Sequence, residues 1–513
     1  MVSAPHHLAA QAGLAVLREG GNAIEAAIAT AAACTVVYPH MSGLGGDGFW
    51  LIHEPGKTPI SIDASGAAAA AAKAEGYRER GLLAIPATGP LAANTVAGVV
   101  SGWQAALEIA NRWGGRLPLT RLFEDAIHHA RHGFCVTAEQ ARSAAKLAEP
   151  LTDGGAEAYL TLEAGALTTL PGLATLLERL AQAGLDDFYR GAIGHHLGAE
   201  LHRLGSPLNS ADLARHRSVR RRPLSLNMDC GTVYNLPPPT QGLASLMILG
   251  LFERLGVELP DGFAHVHGIV EATKQAFIVR NAHVTDPAYM TIHSTTYLSD
   301  ALLDRLAGAI APRRALPWHR ETVDGDTSWI GVIDGQGRAV SCIQSLAQPF
   351  GAALAVGEFG LLWHNRGASF ALAENAQNLL VPGRKPFHTL CPALARFRDG
   401  RVMVYGCMGG DGQPQTQAAL FSRYALLGQG LQQAVTAPRW RLGPGRGEYA
   451  SDLKLEGRFE PSLVRALREA GHEVSIMASF DQQMGHAGAV VRHEDGRLEG
   501  AVDPRSDGVV AAF

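Results

Sequence analysis

Apolar residues recur at helical spacing from the start of the chain. Residues 7–19 carry Leu8, Ala12, Leu14, Val16 and Leu17 and stop at Gly20-Gly21, a common end to a helix. Asn22 then caps a second helix, with Glu25 three residues on as in a capping box. That helix is apolar nearly all round through Ala33 and Val37, so it belongs inside; Pro39-His40 closes it. A glycine-rich loop over 41–48 leads into a strand over 49–53. The same periodicity predicts helices over 96–113, 119–132, 137–147, 169–182 and 242–255.

The pattern changes in the last third. Three pairs of apolar runs flank Asp334-Gly335, Asp399-Gly400 and Asp495-Gly496. Asp-Gly between two such runs is a strong hairpin signal, because a tight hairpin turn needs positive φ. The predicted strands cover 328–334 with 338–344, 391–398 with 401–406, and 487–493 with 498–503. Three hairpins imply an antiparallel sheet with helices packed on its faces. Residues 311–326, rich in proline and charge, read as an exposed connector between the two parts.

Composition narrows the classes. With 513 residues, 47% hydrophobic and 18% charged, the chain is globular and can bury a core without staples. A net charge of −4 argues against a nucleic-acid partner. The start lacks a basic segment followed by an apolar core, and the longest early apolar run, 26–38, is too short to span a bilayer. A cytoplasmic protein with no membrane partner is the expectation. The six cysteines are scattered without a CxxC pair, which suits reduced, buried thiols. The 59 glycines point to tight turns or to loops where backbone meets a ligand.

Few local motifs carry chemistry. Gly43-Leu44-Gly45-Gly46-Asp47-Gly48 spells a dinucleotide fingerprint, but a helix precedes it and a strand follows, the reverse of what a nucleotide needs. A structural loop that brings backbone near a site fits better. Among the 21 histidines, His128-His129, His195-His196 and His265-x-His267 lack ligand spacing and HExxH is absent, so no metal is expected. No G-x-S-x-G elbow is present. Gly406-Cys407-Met408-Gly409-Gly410-Asp411-Gly412 lies between a strand and a helix, the order that aims free N–H groups at an anion. Thr327 opens the first hairpin; a threonine becomes a strong nucleophile when its own α-amine is freed to act as base.

Several of these segments together resemble the gamma-glutamyltransferase family. They are Pro5-His6-His7-Leu8-Ala9, the run from Leu17 to Ala23, the run from Pro39 to Phe49, Asp326-Thr327-Ser328, Gly406 to Gly410, Ala437-Pro438-Arg439 and Asp503-Pro504-Arg505-Ser506. They occur in family order over nearly the whole chain. The resemblance implies an α+β class, as a four-layer αββα N-terminal-nucleophile hydrolase fold with antiparallel sheets sandwiched by helices. It implies self-cleavage before Thr327, giving a mostly helical large chain, 1–326, and a hairpin-rich small chain, 327–513, intertwined as one domain. The two chains would stay paired, alone or as a dimer of such pairs, and would use no cofactor. Thr327 would be the nucleophile, Gly409 and Gly410 the backbone oxyanion hole, and Ser345 the hydroxyl that bonds the nucleophile, where the family has threonine.

The chain departs from the family where substrate specificity is set. Family transferases hold a glutamate α-carboxylate with an arginine where this chain has Asp63-Ala64-Ser65. They hold the α-amine with an acid where this chain has Ser369, in the run Asn365-Arg366-Gly367-Ala368-Ser369. Their paired serines are His388-Thr389 here. Losing a charge clamp at each end weakens γ-glutamyl binding, since charge-assisted hydrogen bonds contribute ~1.5–3 kcal/mol each. The run from Gly409 to Gln417 resembles the branch that includes oxamate amidohydrolase. The expected activity is therefore self-processing hydrolysis of a small, oxamate-like acyl amide, with Arg366 as carboxylate anchor and Asn365, His388 and Thr389 beside it. The competing readings are a gamma-glutamyltransferase or glutathione hydrolase, a glutaryl-type acylase, and an unprocessed binding protein.

Overall fold

The computed structural model describes residues 1–148, 157–318, 325–443 and 452–513. Two antiparallel sheets stack face to face. The first has seven strands in the order Val509–Ala511, Val2–Ala4, Asp326–Ile333, Ala339–Ala347, Asp47–His53, Ile60–Ala64 and Val219–Arg221. The second has six, in the order Leu498–Val502, Ala487–Arg492, Val402–Cys407, Ala393–Phe397, Gly231–Asn235 and Leu224–Met228. Both draw strands from either side of the Asp326–Thr327 bond.

Three apolar cores explain the layering. Trp329, Ile333, Ile343, Leu394, Val404 and Val490 fill the gap between the sheets. Ile330, Val332, Val340 and Cys342 point the other way, onto the layer built around the helix Ala23–Val37. The outer face of the second sheet packs on the helices Gly242–Glu253, Phe263–His283 and Gly412–Phe421. Strands buried on both faces read as continuous apolar runs, and alternation survives only as a choice of core. The expected α+β, four-layer αββα arrangement is the one observed.

Local signals hold well in the first helical layer. Asn22 and Glu25 form the capping box, and every residue of Ala23–Val37 is buried. Predicted helices shift by a few residues: 96–113 becomes Val99–Arg112, and 119–132 breaks at Phe123 into Leu119–Leu122 and Glu124–His132. Each Asp-Gly hairpin is present. Two expectations are corrected. Residues 311–318 are not a free connector: Trp318 is buried, Ala315 N–H donates to Ala470 O (2.7 Å), and Leu316 N–H donates to Glu271 (3.0 Å). Residues 319–324 of that stretch lie outside the described residues. All six cysteines are free, but Cys135 is exposed and Cys230 half-buried rather than buried. Among the described residues no helix is long and apolar enough to cross a membrane.

Candidate active site

The glycine-rich loop over 43–48 places the first part of the site. A Cβ on Gly45 would sit 2.1 Å from Leu362 O, and one on Gly46 2.3 Å from Ser345 O. Backbone therefore approaches backbone where any side chain would intrude. The loop ends on Asp47, the first residue of its strand.

Thr327 is buried in the strand Asp326–Ile333, at the inner edge of the hairpin. Its neighbour strand carries a bulge between Gln344 and Ala347, and Ala347 adopts φ 80°. A bulge re-aims a side chain. Here it turns Ser345, whose hydroxyl donates to the carbonyl of Asp326 and accepts from Ala347 N–H (2.8 Å). Ser345 thus sits on the bond expected to be cut, and not on the Thr327 hydroxyl as the sequence suggested. The Thr327 hydroxyl instead accepts from Gln413 Nε2 (3.3 Å), and Gln413 Oε1 accepts from Cys391 N–H (3.1 Å).

Gly409 and Gly410 have φ 129° and 54°. Glycine is required there, since an L side chain rarely tolerates such angles. Gly409 O accepts from Gly412 N–H (2.7 Å), and Gly410 O from Gln413 N–H (3.1 Å) and Gln241 Nε2 (2.8 Å). Both carbonyls are tied back into the fold. Among the described residues the two N–H groups find no hydrogen-bond acceptor. A cavity of about 340 Å³ opens beside Gly409, with Gly325, Asp326, Arg441 and Phe480 on its wall.

The other half of the site is cationic. Arg366 is buried; Nη1 donates to Thr389 Oγ1 (3.2 Å), while Nε and Nη2 find no hydrogen-bond partner among the described residues. Burial pulls its guanidinium down to about 10, against the opposing pull of Asp47 and Asp411. Asp47 Oδ1 accepts from Gly66 and Gly98 N–H (3.0 and 3.1 Å). Its Oδ2 lies 3.4 Å from His364 Nδ1 and 3.3 Å from His388 Nε2. Burial raises Asp47 to about 8, and Arg366 is the strongest opposing influence. Burial also holds His364 at about 3 and His388 well below the ordinary histidine value, so both rings are neutral.

The sequence candidates thus divide. Thr327, Ser345, Gly409, Gly410, Arg366, His388 and Thr389 fall in one neighbourhood. Asn365 is spent on structural partners: its Nδ2 donates to Ala87 O (2.7 Å) and Gln348 Oε1 (2.9 Å), and its Oδ1 accepts from Gln348 N–H (3.2 Å). Ser369 turns away to donate to Phe387 O (3.2 Å). Asp63 pairs with Lys385 (2.9 Å) and Arg221 (3.2 Å). Sequence reasoning gave no role to Asp47, Gln413, Gln241 or His364, although the first two lie inside quoted motifs.

The sequence also missed an i, i+4 pair: His267 and Glu271, which with His472 form the metal-spaced group among the described residues. Lys274 Nζ already sits on Glu271 (2.7 Å), and His472 Nε2 lies 2.9 Å from His267 Nδ1. Those hydrogen bonds satisfy the group without an ion.

The Gly325–Asp326 segment threads between the two halves. A Cβ on Gly325 would lie 3.1 Å from Ala347 O, 3.4 Å from Gly410 Cα and 3.6 Å from Thr389 Oγ1. A Gly325→Ala variant should accordingly cut itself several-fold more slowly than wild type. A time course of cell-free synthesis on a denaturing gel reads the rate; an unchanged rate would contradict the tight fit.

Known proteins resemble this chain over its whole length. The family model for gamma-glutamyltranspeptidase matches residues 9–513. An oxamate amidohydrolase proenzyme from Klebsiella pneumoniae subsp. pneumoniae is 51% identical, with 100% of this chain and 98% of that protein covered. A glutathione hydrolase-like YwrD proenzyme from Bacillus subtilis is 38% identical over 100% of this chain and 98% of its own length. The crystal structure of a cephalosporin acylase from Bacillus halodurans superposes with a TM-score of 0.91 at 31% identity, covering 100% of this chain and 95% of that one. The fold is that of N-terminal-nucleophile hydrolases, and the chain is an amide-bond hydrolase or acyltransferase belonging to the gamma-glutamyltranspeptidase family.

Proposed function

We propose that the chain cuts itself before Thr327 and then hydrolyses a small amide that carries a carboxylate, of which oxamate is the type. The observation that carries the substrate class is Arg366: a buried guanidinium with two unpartnered nitrogens, beside Thr389. A buried cation of this kind calls for a fixed anion. The 51% identical relative is named for that activity, which supports the same reading.

The uncut geometry supports a route for self-cleavage. The Thr327 hydroxyl adds to the Asp326 carbonyl carbon while Ser345 donates to the carbonyl oxygen. The C–N bond breaks, the acyl group moves to the hydroxyl, and the nitrogen becomes a free α-amine. Water then splits the ester into the Asp326 carboxylate and a free Thr327. In turnover that amine takes the hydroxyl proton as oxygen adds to the substrate amide. The tetrahedral oxyanion lies on the N–H groups of Gly409 and Gly410. Ammonia leaves with the proton, and water releases the second carboxylate.

Asp47 gives this reading a pH signature. Its carboxyl faces Arg366, the neutral rings of His364 and His388, and the Lys385–Asp63 pair. Burial raises its pKa, so it is protonated below about pH 8 and Arg366 is left for the substrate. Above that pH the ionised Asp47 competes for Arg366. KM for a carboxylate substrate should therefore rise above about pH 8. Asp47→Asn, which keeps the oxygen that accepts from Gly66 and Gly98, should flatten the rise; a KM profile identical to wild type would contradict it.

The test of the proposal is ammonia release from oxamate beside turnover of a γ-glutamyl anilide by the same preparation. Oxamate should have the higher kcat/KM by orders of magnitude. Strong anilide turnover without oxamate turnover would favour the glutathione-hydrolase reading, which the 38% identical relative's name supports.

A further inference from the structure

A buried relay outside the reacting groups ends on the glycine pair. Gln241, just ahead of the helix Gly242–Glu253, uses one amide nitrogen for two carbonyls: Thr389 O (2.6 Å) and Gly410 O (2.8 Å). Both partners only accept, so the amide orientation is fixed. Its oxygen accepts from Arg280 Nη1 (2.7 Å), on the helix Phe263–His283. Arg280 is clamped in turn by Asp411, through Nη1 to Oδ1 (2.7 Å) and Nη2 to Oδ2 (3.1 Å). All three side chains are buried. Asp411 directly follows Gly410, so the relay closes on the segment it holds.

Gly410 needs such a hold. A glycine is free to rotate its peptides, and an oxyanion hole works only when its N–H groups are already aimed before reaction. Fixing the Gly410 carbonyl restricts one side of that residue. The same nitrogen ties it to Thr389, which bonds Arg366, so the hole and the carboxylate anchor are braced together. We propose that Gln241, oriented by the Arg280–Asp411 pair, is the positioning residue that keeps the Gly409–Gly410 oxyanion hole formed. This rests on those glycines being the hole; it does not depend on the identity of the substrate.

The experiment is Gln241→Met, which keeps the length and removes both donors. Turnover is the readout, because the glycine hole serves the substrate oxyanion while Ser345 holds the carbonyl oxygen in self-cleavage. Denaturing mass spectrometry first shows that the variant matures. On the best substrate from a panel of small amides, which stays informative if oxamate proves to be the wrong one, kcat of the matured variant should fall at least tenfold with KM within threefold of wild type. A merely structural role would lower thermal stability and leave kcat per folded molecule unchanged. A wild-type kcat in matured Gln241→Met would overturn the proposal, as would a loss confined to KM. Where Gln241→Met fails to fold, Asp411→Asn decides: it removes one charge from the Arg280 clamp and keeps an acceptor. A three- to tenfold loss of kcat at constant KM supports the relay, and an unchanged kcat overturns it.

Discussion

Thr327→Ala should yield a single uncut chain of 513 residues and lose amide turnover by about 10⁴-fold or more. Two losses coincide in this variant. The hydroxyl that attacks the Asp326 carbonyl is gone, so the bond persists and no free α-amine appears. The hydroxyl that would carry the acyl group is gone as well. The oxyanion hole and the binding residues remain, which is why a small residual rate is expected instead of none. The alanine itself should be tolerated, because the packing of this strand comes from Trp329, Ile330 and Val332. Intact mass and an ammonia assay on one sample read both losses; cutting without turnover, or turnover without cutting, would separate the two roles.

Arg366→Met should have the second-largest effect, mostly on KM. Charge-assisted hydrogen bonds contribute roughly 1.5–3 kcal/mol each, so losing both unpartnered donors lowers kcat/KM for a carboxylate substrate by about 100-fold or more. Self-cleavage should be much less affected, because the group acylated there is Asp326, held by Ser345. Asp47 can stay protonated when its cation is removed, so the variant avoids a buried unpaired charge. Steady-state kinetics on oxamate checks the size, and an unchanged KM would remove Arg366 from the binding site.

These expectations draw unequally on sequence and on structure. The hairpins were legible because Asp-Gly fixes a turn locally, and the buried second helix because apolar residues cover all its faces. The helix Phe263–His283 was not legible. Its buried side includes His265, His267, Glu271, Lys274 and Arg280, whose polarity erases the apolar stripe. The strands Leu224–Met228 and Gly231–Asn235 lack an Asp-Gly turn and were missed for that reason. The αββα layering was an implication of family resemblance, since antiparallel pairs alone do not say how two sheets stack.

The same division holds at the site. Thr327 is unremarkable by pattern, the two glycines sit in a loop of anion-binding order, and their proposed roles came from the resemblance. Arg366 emerged as a departure from the family, and its unpartnered nitrogens give that departure a physical meaning. Gln241 meets Gly410, and Arg280 meets Asp411, across 169 and 131 positions of sequence. No spacing rule reaches so far, and the hydrogen bonds that define those roles exist only once the chain has folded.

The central claim is a covalent acyl group on a self-made N-terminus, and intact-mass analysis of protein quenched during oxamate turnover tests it directly. The account predicts two chains, residues 1–326 and 327–513, with one oxalyl group on the second that maps to Thr327. A single uncut chain that releases ammonia at the wild-type rate would contradict it, as would an oxalyl group on any other residue.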